Sequence, residues 1–146
     1  MKNLVVALVV VITAGFAPVQ AGENPKAEKE FAKKFVGAEN VQWTKLSDGY
    51  SKVSFTLNGV RAVSYFDESA ELLGTIRNIF YNQLPLPVIQ SLSTRFANAV
   101  VIEVAEISNI DGTSYRIVLE KGEKKYNLRL DSRGDITEQR KIKLKK

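Results

Sequence analysis

Two stretches, well separated along the chain, carry the same pattern, and this repetition constrains the fold more than any other feature. Phe55 to Gly74 reads FTLNGVRAVSYFDESAELLG, and Val118 to Thr137 reads VLEKGEKKYNLRLDSRGDIT. Each runs as a strand, a glycine turn, a strand ending at an Asp, a short turn and apolar residues again. Asn58-Gly59 is a two-residue hairpin signal, since both positions tolerate positive φ. That turn sets Leu57 opposite Val60, Phe55 opposite Ala62 and Val53 opposite Ser64, with Phe66 on the same apolar side. The other side pairs Thr56 with Arg61, Ser54 with Val63 and Lys52 with Tyr65. A slip of one residue would invert all of these assignments.

In the second stretch Tyr115, Ile117 and Leu119 alternate inward, as do Tyr126, Leu128 and Leu130 beyond the Lys121-Gly122-Glu123 turn. Arg116, Val118, Glu120, Asn127 and Arg129 point the other way. Each hairpin then turns after Asp67 or Asp131 into a last strand, Leu72 to Ile79 or Ile136 to Leu144. Asp131-Ser132-Arg133-Gly134 is good turn chemistry, because Gly accepts positive φ. Ala70 stands where the first copy would need that Gly, so its turn is expected to differ in detail.

A helix precedes each stretch. Asn24 is a plausible N-cap with Pro25 at the first helical position, and Ala27, Phe31 and Phe35 form one apolar stripe that Gly37 ends. Leu84-Pro85-Leu86-Pro87 opens the second helix, whose stripe is Val88, Ile89, Leu92 and Phe96. Strands follow at Val41 to Leu46 and Val100 to Ile107. The expected fold is therefore α+β: a tandem repeat, residues 24–81 and 84–144, of a helix and a four-stranded antiparallel meander. One such unit has a marginal core. Two joined edge to edge would share a longer sheet, with helices packed on one face and the other face open.

The start of the chain is of another kind. Lys2, the apolar run Leu4 to Ala17 and the small-x-small end Val19-Gln20-Ala21 read as an export signal over residues 1–21. A single domain over residues 22–146, periplasmic or secreted, is then expected. Removing Lys2 leaves 20 basic and 16 acidic residues. The excess crowds the end, at Arg140, Lys141, Lys143, Lys145 and Lys146, so the near-neutral body gives nucleic-acid binding little support.

The chain has no Cys and no His. Core packing alone must hold the fold, and thiol nucleophiles, Ser-His-Asp triads and His or thiolate metal sites are excluded. Lipoprotein anchoring, which needs a Cys at the cleavage site, is excluded with them.

These residues resemble a known group. Phe35 to Ala38, Asn40-Val41-x-Trp43, Gly49-Tyr50, Phe55, Asn58-Gly59 and Tyr65-Phe66-Asp67 are similar to the PepSY-like, β-lactamase-inhibitor-like (BLIP-like) family of bacterial envelope proteins. LPLPVIQSL and GTSYRIVLEKGEKKYNLRLDSRGDI match its second half, so the resemblance spans roughly residues 28 to 140. It implies a tandem α+β repeat whose curved sheet grips another protein. The true inhibitors carry disulfides that this chain lacks, and no inhibitory loop matches residue by residue.

The outward residues Tyr50, Lys52, Arg61 and Tyr65, with Arg116 and Arg129, are the expected partner-binding set. Tyr and Arg combine contact area with directed hydrogen bonds. A solvated polar sheet face is the competing reading. Trp43 shares strand parity with Val41, which points to a helix–sheet seam rather than a binding hot spot. Asp67, Glu68 and Glu71 lack the spacing of a calcium loop and read as turn chemistry. The alternation in RKIKLKK reads as an edge strand guarded by lysines, with attraction to anionic lipid or wall polymer as the alternative.

No catalytic residue, cofactor or metal is expected. The function read from the sequence is a non-enzymatic binding module for an envelope protein or peptide, an inhibitor of a hydrolase or peptidase being one form. The alternative is a structural or stress-related envelope protein that contacts polymer, lipid or a small ligand.

Overall fold

The computed structural model describes residues 8–12, 15–19 and 24–144. The expected signal segment is covered only in part, and the Gln20-Ala21 end of its cleavage site lies outside the described residues. Within it, β1 (Leu8–Ile12) and β2 (Gly15–Val19) pair antiparallel. No helix among the described residues is long and apolar enough to cross a membrane. The chain divides into two units between Thr75 and Ile76.

In the first unit α1 (Pro25–Lys34) begins where Asn24 Oδ1 accepts the Ala27 N–H at 3.1 Å, with Pro25 in the first turn. Glu28 near its start and Lys33 and Lys34 at its end suit the helix dipole. It is followed by β3 (Glu39–Lys45), β4 (Ser51–Leu57), β5 (Val60–Phe66) and β6 (Leu72–Asn78), each hydrogen-bonded to the next. The last residues of β6 belong to the second unit. Asn58 and Gly59 both take positive φ, 50° and 77°, and the β4–β5 register sets Phe55 opposite Ala62 and Lys52 opposite Tyr65, as the turn requires.

Helix α1 covers one side of these strands. Ala27, Phe31, Val53, Phe55, Ala62, Phe66 and Ala70 form the buried cluster. Phe31 lies 4.9 Å from Phe55 and 5.6 Å from Trp43 between ring centroids, both edge-on. Trp43 also meets Phe66 at 5.8 Å, so it occupies the helix–sheet seam. The buried Ser64 hydroxyl is satisfied by Thr75 Oγ1 at 2.8 Å.

After the end of β6 the second unit continues with a 3-10 turn at Tyr81–Gln83 and α2 (Leu86–Arg95), with Pro87 in the first helical turn. Then come β7 (Val100–Asn109), β8 (Gly112–Lys121), β9 (Lys124–Asp131) and β10 (Ile136–Lys143), again paired in chain order and antiparallel. Val88 and Leu92 of α2 meet Val104, Ile117, Leu119, Leu128 and Leu130. Tyr115 opposite Leu130, Ile117 opposite Leu128 and Leu119 opposite Tyr126 confirm the expected inward set. Among the described residues β10 pairs only with β9 and is an edge strand.

One expectation is corrected by the turns that close the two hairpins. Asp67 and Asp131 share the bonds that close the turn, Asp131 alone also accepting the Arg133 N–H: the N–H of Ala70 or Gly134 donates to the Asp carbonyl at 3.1 Å. The N–H of Glu71 or Asp135 donates to the Asp Oδ1 at 2.9 or 3.0 Å. Ala70 does not force a different turn. It adopts φ 67° where Gly134 has φ 89°, and its methyl joins the core beside α1. The burial of that methyl offsets the strain of a left-handed alanine.

Candidate binding faces and their charge ladder

The face of each unit turned away from its helix is where the expected partner-binding residues fall. In the first unit Lys52 and Tyr65 are direct cross-strand partners and both are half-buried. Arg61 opposes Thr56 further along the same hairpin and is exposed. Tyr50 lies just before β4, 43% exposed, its N–H held by the Ser47 carbonyl at 3.4 Å. In the second unit Arg116 and Arg129 are direct partners across β8 and β9. The two central pairs occupy the same place in each hairpin: Tyr65 precedes Phe66-Asp67 as Arg129 precedes Leu130-Asp131.

The arginines are not bare. Arg116 Nη2 donates to Glu103 Oε1 at 2.7 Å. Arg129 donates through Nη1 to Glu138 Oε1 and through Nε to Ser114 Oγ, both at 3.3 Å. A ladder of alternating strands results, acid, arginine, arginine, acid, across β7, β8, β9 and β10. Neither acid was legible from alternation. A β-bulge after Val101 and another after Ile136 reverse the strand parity, turning Glu103 and Glu138 outward although Val101 opposes inward Leu119 and Ile136 opposes inward Leu130.

The outward face of this unit is also less bare than expected. Ala105 is fully buried and Val118 is 8% exposed although both have outward parity. Ala105 opposes Arg116 and Glu103 opposes Val118, so the Arg116–Glu103 ion pair runs diagonally across both small side chains. Long charged stems cover apolar surface while their heads stay wet.

Beyond this ladder lies an open cleft of about 460 Å³, lined among others by Ile76, Ile107, Arg129, Glu138 and Arg140. Elsewhere the chemistry is structural. Asp67 serves its turn, as expected, and no cluster of metal-ligating side chains occurs among the described residues. Lys33 holds the Glu30 carboxyl below its ordinary range, and the Asp135 N–H does the same for Asp131, aided by Arg133. The Glu106 carboxylate at 2.8 Å raises the Arg77 guanidinium pKa, and burial pushes the Tyr115 hydroxyl up.

No family model and no curated protein matches the chain. Solved structures do. A BLIP-like protein from Bacteroides fragilis superposes with a TM-score of 0.72 at 20% identity, covering 92% of this chain and 94% of that one. A candidate periplasmic protein from Bacteroides eggerthii gives 0.74 at 18% identity, covering 82% and 88%. A DUF2874 family protein from Bacteroides ovatus gives 0.72 at 21% identity, covering 80% and 86%. The fold is thus BLIP-like, α+β with antiparallel strands and two helices over residues 24–144, in agreement with the resemblance carried by the sequence.

Proposed function

We propose that this BLIP-like chain is a non-enzymatic module of the bacterial envelope, exported by its N-terminal segment, that holds a protein or peptide on its outward strand faces. Its two units are read as repeats of one helix-and-meander element, each offering such a face. The observation that carries this reading is the recurrence of a Tyr- or Arg-bearing cross-strand pair, Lys52–Tyr65 and Arg116–Arg129, at the same place in both hairpins. Such side chains on paired strands form a preset platform, and preset geometry lowers the entropic cost of binding. The export pattern at residues 1–21 and the candidate periplasmic neighbour support the envelope location. Obstruction of an envelope hydrolase or peptidase is the inhibitory form of this role.

The test is crosslinking in native envelope, followed by co-purification with the wild type and with Tyr65→Ala and Arg129→Ala. Loss of the crosslinked partner from either variant is expected. An unchanged partner list removes these faces from the reading. A second reading, contact with wall polymer or lipid, draws on the basic edge strand β10, which carries Arg140, Lys141 and Lys143. It predicts instead co-sedimentation with purified wall or anionic vesicles, abolished by neutralising those residues.

A further inference from the structure

The cleft on the outward side of the second unit has a chemistry of its own. Arg116 and Arg129 sit directly opposite one another, a like-charge pair that is unfavourable on neighbouring strands unless an anion lies between or beside them. Glu103 and Glu138 supply that anion from the flanks, each through one carboxylate oxygen. The Arg129–Glu138 contact, at 3.3 Å with the Glu138 side chain 69% exposed, is longer than a strong charge-assisted bond and the weaker of the two pairs. Arg140 sits beside them on β10 and makes no hydrogen bond or ion pair among the described residues. The lining thus carries Arg116, Arg129 and Arg140 against Glu138, an excess of positive charge, and half-buried Ile76 and Ile107 border it.

We propose that this cleft takes an acidic peptide segment, one carboxylate on Arg129 and Arg140 and a nearby aliphatic side chain on Ile76 and Ile107. The inference rests on the reading of the outward face as the partner surface and adds the chemistry of the partner. A carboxylate is favoured because the protein already places one of its own, that of Glu138, on the Arg129 guanidinium. A peptide is favoured over a free acid because guanidinium and isoleucine line one open cleft. In an extended chain, side chains two residues apart point to the same side and match that pairing.

The probe is a pair of short peptides, acetyl-Gly-Leu-Ser-Glu-Gly-amide and its Gln counterpart. They are titrated into the mature protein by calorimetry and by NMR of the isoleucine methyl groups. The Glu peptide is expected to bind, to shift Ile76 and Ile107, and to bind at least about tenfold more tightly than the Gln peptide, the loss expected for one charged hydrogen bond. Its affinity is expected to fall as salt rises. Arg140→Gln, an exposed edge position, is expected to weaken the Glu peptide about tenfold without lowering thermal stability, on the same reasoning. Lys26→Gln, exposed at the start of α1 in the first unit, leaves it unchanged. Equal binding of the Glu and Gln peptides, no binding of either at millimolar concentration, or tighter binding of inorganic phosphate than of the Glu peptide overturns the proposal. If the Glu peptide fails while Arg129→Ala still loses the crosslinked envelope partner, only this inference falls. If that partner survives both Tyr65→Ala and Arg129→Ala, the broader reading falls with it.

Discussion

Between helix and strands the first unit stacks rings: Phe31, Trp43, Phe55 and Phe66. The corresponding places in the second hold Leu92, Val104, Leu119 and Leu130. The correspondence follows from shared bonding, since the Phe35 N–H donates to the Phe31 carbonyl as Phe96 does to Leu92, and the Asp67 and Asp131 turns share the bonds that close them. Bulk removed at these places returns at others. Ala27 faces the core where Val88 does, Ala62 where Tyr126 does, and Ser64 where Leu128 does. Inward parity is kept while the side chain at each of these places changes. Two cores of unlike residues therefore fit one arrangement of elements, because close packing fixes the filled space rather than its allotment.

This exchange can be broken by mutation. Phe66→Ala, at a fully buried ring, is expected to cost about 3–5 kcal/mol of unfolding free energy by denaturant titration. Phe66→Leu, which imports the residue of the second unit, should cost only about 1–2 kcal/mol because most of the volume stays. If both substitutions cost the same, ring shape rather than volume governs the first core and the comparison fails.

The turns sharpen it at the next level. A Cβ added at Gly134 would lie 2.4 Å from the Pro87 carbonyl oxygen and 2.8 Å from its carbon, backbone atoms of the α2 start that cannot rotate aside. Gly134→Ala should therefore cost about 3 kcal/mol, left-handed strain and overpacking together. Ala70→Gly, at the matching place, should change stability by less than about 1 kcal/mol, since relief of strain offsets lost burial and a freer unfolded chain. Equal effects would mean that the helix does not discriminate the two turns. At Ser64, replacement by Ala leaves Thr75 without its partner and should cost about 1 kcal/mol. Ser64→Leu, copying Leu128, should cost about 1–3 kcal/mol because the rings already fill the space.

The register of the first hairpin, the inward set of the second and the α1 cap were legible in the sequence. Asn58-Gly59 dictates one pairing, and Asn24-Pro25 dictates one helix start. What escaped was whatever depends on a break in periodicity or on distance in the chain. Glu103 and Glu138 face outward only because bulges shift their parity, and no residue type in Val101-Ile102 or Ile136-Thr137 marks a bulge. Ala70 could be read as a misfit because local propensity disfavours it, whereas the methyl's burial beside α1 comes from residues far away in sequence. The six expected site residues were found by parity alone. The Asn58-Gly59 turn placed Lys52 beside Tyr65 and parity put Arg116 and Arg129 on one face, but neither showed that the two arginines are direct partners already engaged by acids.

The smallest effect concerns acid. Asp131 accepts N–H bonds from Asp135 and Arg133 on Oδ1 and meets the Arg133 guanidinium through Oδ2 at 3.2 Å. These favour the charged carboxylate, so its pKa in the folded chain lies below the value it has unfolded. On acidification the unfolded state then takes up its proton first. The stabilisation is fully present above about pH 4, where the unfolded carboxyl is ionised, and is lost as pH falls through the lower folded pKa. Asp131→Asn keeps an acceptor oxygen for the turn but cannot titrate. The gap in melting temperature between wild type and variant should narrow steadily below pH 4. Arg133→Ala separates the causes. The Asp135 N–H is the largest of them, so part of the acid sensitivity should survive the loss of the guanidinium. If Arg133→Ala flattens the curve as fully as Asp131→Asn does, the side-chain charge and not the backbone of the turn sets this behaviour, and the second turn differs from the first, which has Ser69 at that place, in more than its glycine.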